Sequence, residues 1–191
     1  MPLRSALLIV DVLVDFFERI PALAVQRPRL VAATNELTSA FRQAGLPVIW
    51  VRQEFRADLS DAFLDMRRRG IAITIAGTGG ADILPELSRA ADDHVVVKKR
   101  YSAFYGTGLD DLLAELGVRS LVIGGVNTHA CVRTTVVDAY QRDFDITLAL
   151  ECTGSADAEH HDVTMRYLDG HIARLSSNAE IIGHLRDAPI D

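Results

Sequence analysis

Three residues of catalytic type close three apolar runs in this chain. Asp11 follows Leu7-Leu8-Ile9-Val10, Lys98 follows Val95-Val96-Val97, and Cys131 lies beyond Leu121-Val122-Ile123 and a Gly124-Gly125 turn. A thiol works as a nucleophile when its pKa is lowered, as a helix N-terminus beside a cation does. A lysine next to Cys131 would stabilise the thiolate, and a carboxylate there could accept and return a proton. The glycines and Asn127 allow backbone N–H groups to converge near the sulfur, as an oxyanion site requires. Spacing alone leaves plainer roles open: a buried structural thiol for Cys131, a helix cap or surface carboxylate for Asp11. Strand alternation places Lys98 and Lys99 on opposite faces without choosing between them.

The elements that must position these groups are legible as alternating patterns. Strands are expected at Ala6–Val10, Pro47–Val51, Val95–Val97, Ser120–Ile123, Ile146–Leu150 and Ile172–Leu175. Most are continuous apolar runs, which suits parallel strands covered on both faces. Leu30, Ala33, Leu37, Phe41 and Ala44 recur at helical spacing before Gly45, and Leu109, Leu112, Leu113 and Leu116 do so before Gly117. Val132, Val136, Ala139 and Tyr140 mark another helix, and Ser177 with Glu180 forms a capping-box signal for a last one carrying Ile181, Ile182 and Leu185. Strands alternating with helices predict a parallel α/β sandwich, and ligands of such sheets bind beyond the carboxyl ends of the strands. The long connection from Gln53 to His94 breaks the alternation, as lids and pocket walls do.

At 191 residues with no internal linker, a single domain over 1–191 is expected. A net charge of −6 argues against nucleic acid as partner. The apolar run before Asp11 is too short to span a membrane and no export signal is seen. Cytoplasmic location and free thiols at Cys131 and Cys152 are the corresponding expectations. Arg67–Arg69 reads as a solvated helix face, and Gly77-Thr78-Gly79-Gly80 lacks the residues of a phosphate cradle and reads as a turn. His129 is too close to Cys131 on a tight turn to share one atom with it. His160 and His161 point apart on a helix, and with no carboxylate–histidine set near a strand end, no metal and no cofactor are expected. Cys152 is expected to pack.

The motifs together resemble the isochorismatase-like cysteine hydrolases. Ala6-Leu7-Leu8-Ile9-Val10-Asp11 with Asp15-Phe16 is similar to the opening motif of that family. Lys98-Lys99-Arg100-Tyr101-Ser102-Ala103-Phe104-Tyr105-Gly106-Thr107 is similar to its lysine motif, and Gly125-Val126-Asn127-Thr128-His129-Ala130-Cys131-Val132 to its nucleophile motif. Gly77-Thr78-Gly79-Gly80-Ala81 resembles a family loop. The resemblance covers nearly the whole chain. It implies a three-layer α/β sandwich with a six-stranded parallel sheet of order 3-2-1-4-5-6 and helices on both faces. It also implies Cys131 as nucleophile, Asp11 as proton shuttle, Lys98 as the charge-holding lysine, and a cis peptide before Asn127 that aims the N–H groups of Asn127 and Cys131 at an oxyanion.

Where the family usually carries Gln and Asn, this chain has Leu13 and Val14, implying a more apolar pocket wall. The metal ligands of the nicotinamidase branch are replaced by Trp50-Val51-Arg52-Gln53-Glu54-Phe55, and Cys131-Val132-Arg133 resembles the N-carbamoyl and ureido amidohydrolases. The resemblance therefore implies cleavage of a C–N bond in a small amide-like substrate by a homodimer or homotetramer, without nucleic acid or membrane. Phe16, Trp50, Tyr101 and Phe104, with Arg133, are the expected substrate-binding residues. Vinyl ether hydrolysis, a non-catalytic protein on the same fold and a redox-sensing thiol are the alternatives.

Overall fold

The computed structural model describes residues 4–187; the opening Met1-Pro2-Leu3 and residues 188–191 lie outside the described residues. Strands β1 (Ser5–Val10), β2 (Val48–Gln53), β3 (His94–Lys98), β4 (Ser120–Gly125), β5 (Asp145–Thr153) and β6 (Arg174–Ser176) form one sheet of order β3-β2-β1-β4-β5-β6. Every neighbouring pair is parallel. The apolar runs form the central strands because both faces are covered. The last strand begins at Arg174 rather than Ile172, since the Ile172 and Ala173 N–H groups donate to Leu168 O and are spent on a turn.

Helices α1 (Val14–Arg19), α2 (Pro21–Ala24), α3 (Arg27–Gln43) and α4 (Leu64–Arg69) precede β3, and α5 (Leu109–Glu115), α6 (Arg133–Tyr140), α7 (Ala158–Leu168) and α8 (Asn178–Asp187) follow it. Two cores result. One packs Leu109, Leu113, Val132 and Val136 on Ala6, Leu8, Val10, Val51 and Val96, and it contains Cys131. The other packs Phe17, Leu30, Leu37, Phe41 and Ile181 on Leu7, Ile9, Trp50 and Val122, and it contains Cys152. Helix α3 stops at Gly45, whose φ of 67° suits a residue without Cβ. The capping box forms: Ser177 N–H donates to Glu180 Oε2 at 2.8 Å and Glu180 N–H to Ser177 Oγ at 3.3 Å.

The connection between β2 and β3 is tied down rather than open. Val14 N–H donates to Asp82 O and Leu84 N–H to Val12 O, both near 3 Å. Within the glycine-rich turn, a Cβ at Gly80 would sit 2.4 Å from the Asp15 carboxylate, so glycine is required for that docking. Asp15 Oδ2 in turn accepts from Thr74 N–H at 2.6 Å. Arg67, Arg68 and Arg69 lie exposed on α4. No helix among the described residues is long and apolar enough to cross a membrane.

Candidate active site

The carboxyl ends of β1, β3 and β4 bring Asp11, Lys98 and Cys131 together. Lys98 Nζ lies 2.6 Å from Asp11 Oδ2 and 3.4 Å from Cys131 Sγ, and Arg100 O accepts from it at 3.0 Å. Asp11 and Lys98 have no solvent exposure. Alternation would send Asp11 to the face away from Val10, but its φ of 56° breaks the pleat and turns it toward the lysine. Asp11 Oδ1 meets no hydrogen-bond donor among the described residues, which leaves a buried lone pair free to take a proton.

Between the two lysines the choice is made by depth. Lys99 stays partly exposed, ion-pairs with Asp61 at 3.1 Å and donates to Glu54 O. Lys98 follows Val96 on the buried face of edge strand β3, where Val95 and Val97 are exposed on the other.

Cys131 sits in a π-helical turn, Thr128–Val132, that runs straight into α6. Thr128 N–H and Oγ1 both donate to Gly154 O, at 2.9 and 2.8 Å. Ala156 N–H donates to Asn127 Oδ1 at 2.7 Å. Thr135 Oγ1 donates to Cys131 O at 2.7 Å and accepts from Ala103 N–H at 3.0 Å, linking the lysine segment to the nucleophile turn. The Val126–Asn127 peptide is cis. The Asn127 N–H has no acceptor among the described residues. Gly125 has a φ of 126°, and a Cβ there would fall 2.0 Å from Val10 O, so no other residue fits.

The electrostatics correct one expectation. Burial pushes the Cys131 thiol above its ordinary value, the Asp11 carboxylate pushes it further, and Lys98 only partly opposes them. The thiol is therefore neutral at rest, not a lysine-held thiolate. Burial pulls the Lys98 ammonium down, but Asp11 and Cys131 outweigh it and hold Lys98 above its usual pKa. The site is thus an ion pair beside a protonated thiol.

Three expected substrate contacts are displaced. Trp50 belongs to the core on the opposite face of the sheet, and its indole N–H donates to Asp93 Oδ2 at 2.8 Å. Asp93 also pairs with Arg42 at 2.6 Å, so Trp50 is held by a structural carboxylate. Phe104 is buried against Phe144, with the Arg142 guanidinium 4.5 Å above its ring, near the amino end of β5. An aromatic beside a lysine motif looks pocket-facing in sequence, but the backbone has turned inward by residue 104. Phe16 is buried on the Trp50 side, and Leu13 is fully buried there rather than in a pocket wall. Tyr101 remains half exposed, one residue past the carbonyl that holds Lys98, with its ring 4.8 Å from Phe63. Phe63, on the long connection, had no sequence signal to single it out. Arg133 stacks 4.7 Å over Tyr167.

His129 Nδ1 bonds Ser155 Oγ at 2.6 Å, and His161 Nδ1 bonds Thr128 Oγ1 at 2.9 Å, so both histidines brace the turn. Among the described residues no three His, Cys, Asp or Glu side chains gather as a metal site. Two surface concavities, one lined by Tyr140, Phe144 and Arg174 and one by Val14, Glu18 and Gly80, lie away from Cys131.

A family model for the isochorismatase domain matches residues 5–180. The chain belongs to the isochorismatase family. A probable inactive nicotinamidase of Arabidopsis thaliana is 35% identical over 165 residues, covering 83% of this chain and 84% of that protein. Among solved structures, a cysteine hydrolase from Pseudomonas syringae pv. phaseolicola 1448A superposes with a TM-score of 0.90 at 24% identity, over 99% of this chain and 95% of that one, a likeness of fold. The N-carbamoylsarcosine amidase of Thermoplasma acidophilum gives a TM-score of 0.77 at 27% identity, over 92% and 96%. The six-stranded order described above is that of the isochorismatase-like α/β fold.

Proposed function

We propose that this isochorismatase-family protein is a cysteine hydrolase that cleaves a C–N bond of a small amide, ureido or N-carbamoyl substrate through a covalent thioester. The observation that carries this reading is Lys98 Nζ bridging Asp11 Oδ2 and Cys131 Sγ in a buried cluster. Asp11 takes the thiol proton as sulfur bonds to the substrate carbonyl carbon, and Lys98 balances the charge. The free Asn127 N–H, with that of Cys131, faces the developing oxyanion. The proton passes from Asp11 to the departing nitrogen, which leaves as ammonia or an amine. Water then attacks the thioester, Asp11 takes its proton, and the proton returns to sulfur as the acid leaves. The likeness to the N-carbamoylsarcosine amidase supports this substrate class.

A second reading is a non-catalytic protein on the same fold, raised by the relative named a probable inactive nicotinamidase. A panel of amides, ureas and N-carbamoyl compounds assayed for ammonia release separates the two. Turnover of a panel member that disappears in Cys131→Ala is expected. Ammonia release that survives in Cys131→Ala would overturn the thioester mechanism, and no turnover of any panel member would favour the non-catalytic protein.

A further inference from the structure

Lys98 and Asp11 stand on strands that are not neighbours. In the order β3-β2-β1, the lysine must cross β2 to reach the carboxylate, a span of about 10 Å for two strand spacings. The β2 residue in register with Lys98 is Gln53. Val51 and Ile49, two and four residues earlier on the same face, pack in the core that contains Cys131, as does Val96 two residues before Lys98. Gln53 therefore projects on the Cys131 side of the sheet, beside the Lys98 stem and at the strand end where the site opens.

Gln53 is 5% exposed, and its Nε2 is fully enclosed with no acceptor among the described residues. Its Oε1 is not among the enclosed unpartnered atoms. The other enclosed amides are served: Asn178 Nδ2 donates to Ala33 O and Glu36 Oε2, and Asn127 Oδ1 accepts from Ala156 N–H. An enclosed amide N–H group that bonds nothing in its own protein is costly and calls for an explanation.

We propose that Gln53 is the positioning residue that reads the substrate's amide. This rests on Cys131 as the nucleophile. One edge of a primary amide or carbamoyl group carries a carbonyl oxygen and a syn N–H, and it matches a side-chain amide reciprocally. Gln53 Nε2–H donates to that oxygen and Oε1 accepts from that N–H, while the other lone pair of the oxygen stays open to the Asn127 N–H. The substrate class is then a terminal –CO–NH2 group, either a carboxamide or an N-carbamoyl compound. Esters, vinyl ethers and trans secondary amides lack this edge.

The test needs no known substrate. Iodoacetamide and methyl iodoacetate both alkylate thiols, but only the first carries the amide edge. The rate ratio of the two at Cys131, located by peptide mass spectrometry and divided by the same ratio for glutathione, is expected to be about tenfold above one, the size of one or two neutral hydrogen bonds. Gln53→Met should return it to one without lowering the midpoint of thermal unfolding, because an unpartnered polar group has been removed. Gln53→Asn, which keeps the amide but shortens its reach, should lose the same selectivity. A wild-type ratio of one, or a ratio unchanged in both variants, overturns the role of Gln53 and leaves the nucleophile untouched. A Cys131 that reacts with neither reagent overturns the nucleophile reading and this inference with it.

Discussion

Cys131 and Cys152 are two free, buried thiols at the ends of adjacent strands, yet their surroundings differ in kind. Burial raises both. Cys152 is pushed up to about 12 by burial, opposed by hydrogen bonds with Thr34 and Asn178. Its Sγ donates to Asn178 Oδ1 at 3.4 Å, a neutral acceptor in the α3–α8 core. Cys131 instead faces a carboxylate with an unused lone pair and an ammonium. Enclosure by itself makes an inert thiol. A base that can take the proton, and a cation that tolerates the resulting charge, are what separate the two.

The largest effect that could break this comparison is on turnover. Cys131→Ala should reduce it by several orders of magnitude, because the bond-forming atom is gone. Cys152→Ala should leave it within a small factor, and comparable losses in both would show that the two environments do not differ functionally.

Charge removal comes next. Lys98→Met strands Asp11 as an uncompensated buried carboxylate and should cost about 3–5 kcal/mol in a urea titration. Lys98→Met should also push the Cys131 thiol further up. Asp11→Asn should do the opposite, lowering the thiol by about 1–3 pKa units because the lysine then acts unopposed. It should still abolish turnover, since no base remains to carry the proton. Thiolate absorbance against pH, read in both variants, checks the signs; a fall in thiol pKa in Lys98→Met would contradict the electrostatics.

A smaller effect sharpens the Cys152 side. Its folded pKa of about 12 stands above the ordinary 9.0. The unfolded thiol therefore loses its proton first, and stability must fall as pH rises from about 9 toward 12. The slope is at most about 1.4 kcal/mol per pH unit for this thiol. Denaturation midpoints of the wild type and Cys152→Ala between about pH 8 and 11, a span that begins below the ordinary thiol pKa and ends below the folded one, should converge as pH rises.

Lys99→Met should matter least, at no more than about 1 kcal/mol, because the Lys99–Asp61 pair is partly exposed. A loss rivalling that of Lys98→Met would reverse the assignment of the two lysines.

Much of this was readable along the chain. Continuous apolar runs at β1 and β4 and the Gly45 and Gly117 stops mark elements by short-range periodicity, which depends only on neighbours in sequence. Three chemistry-bearing residues at strand ends follow from the same reading. Phe16, Trp50 and Phe104 are not where residue type alone would put them, because type says nothing of which face of the sheet an element packs on, or how far a loop has turned inward. Gln53 carried a usable signal in its even spacing from Ile49 and Val51, but that signal has no meaning until Lys98 is known to lie beside it.

The sequence by itself determined the alternation of strands and helices and the chemical types waiting at the strand ends. The tertiary structure decided which lysine is buried, which thiol meets a base, and whether that thiol holds its proton at rest. Those outcomes depend on desolvation and on distances of a few ångströms between strands far apart in the chain, as where Lys98 of β3 reaches across β2 to Asp11 of β1.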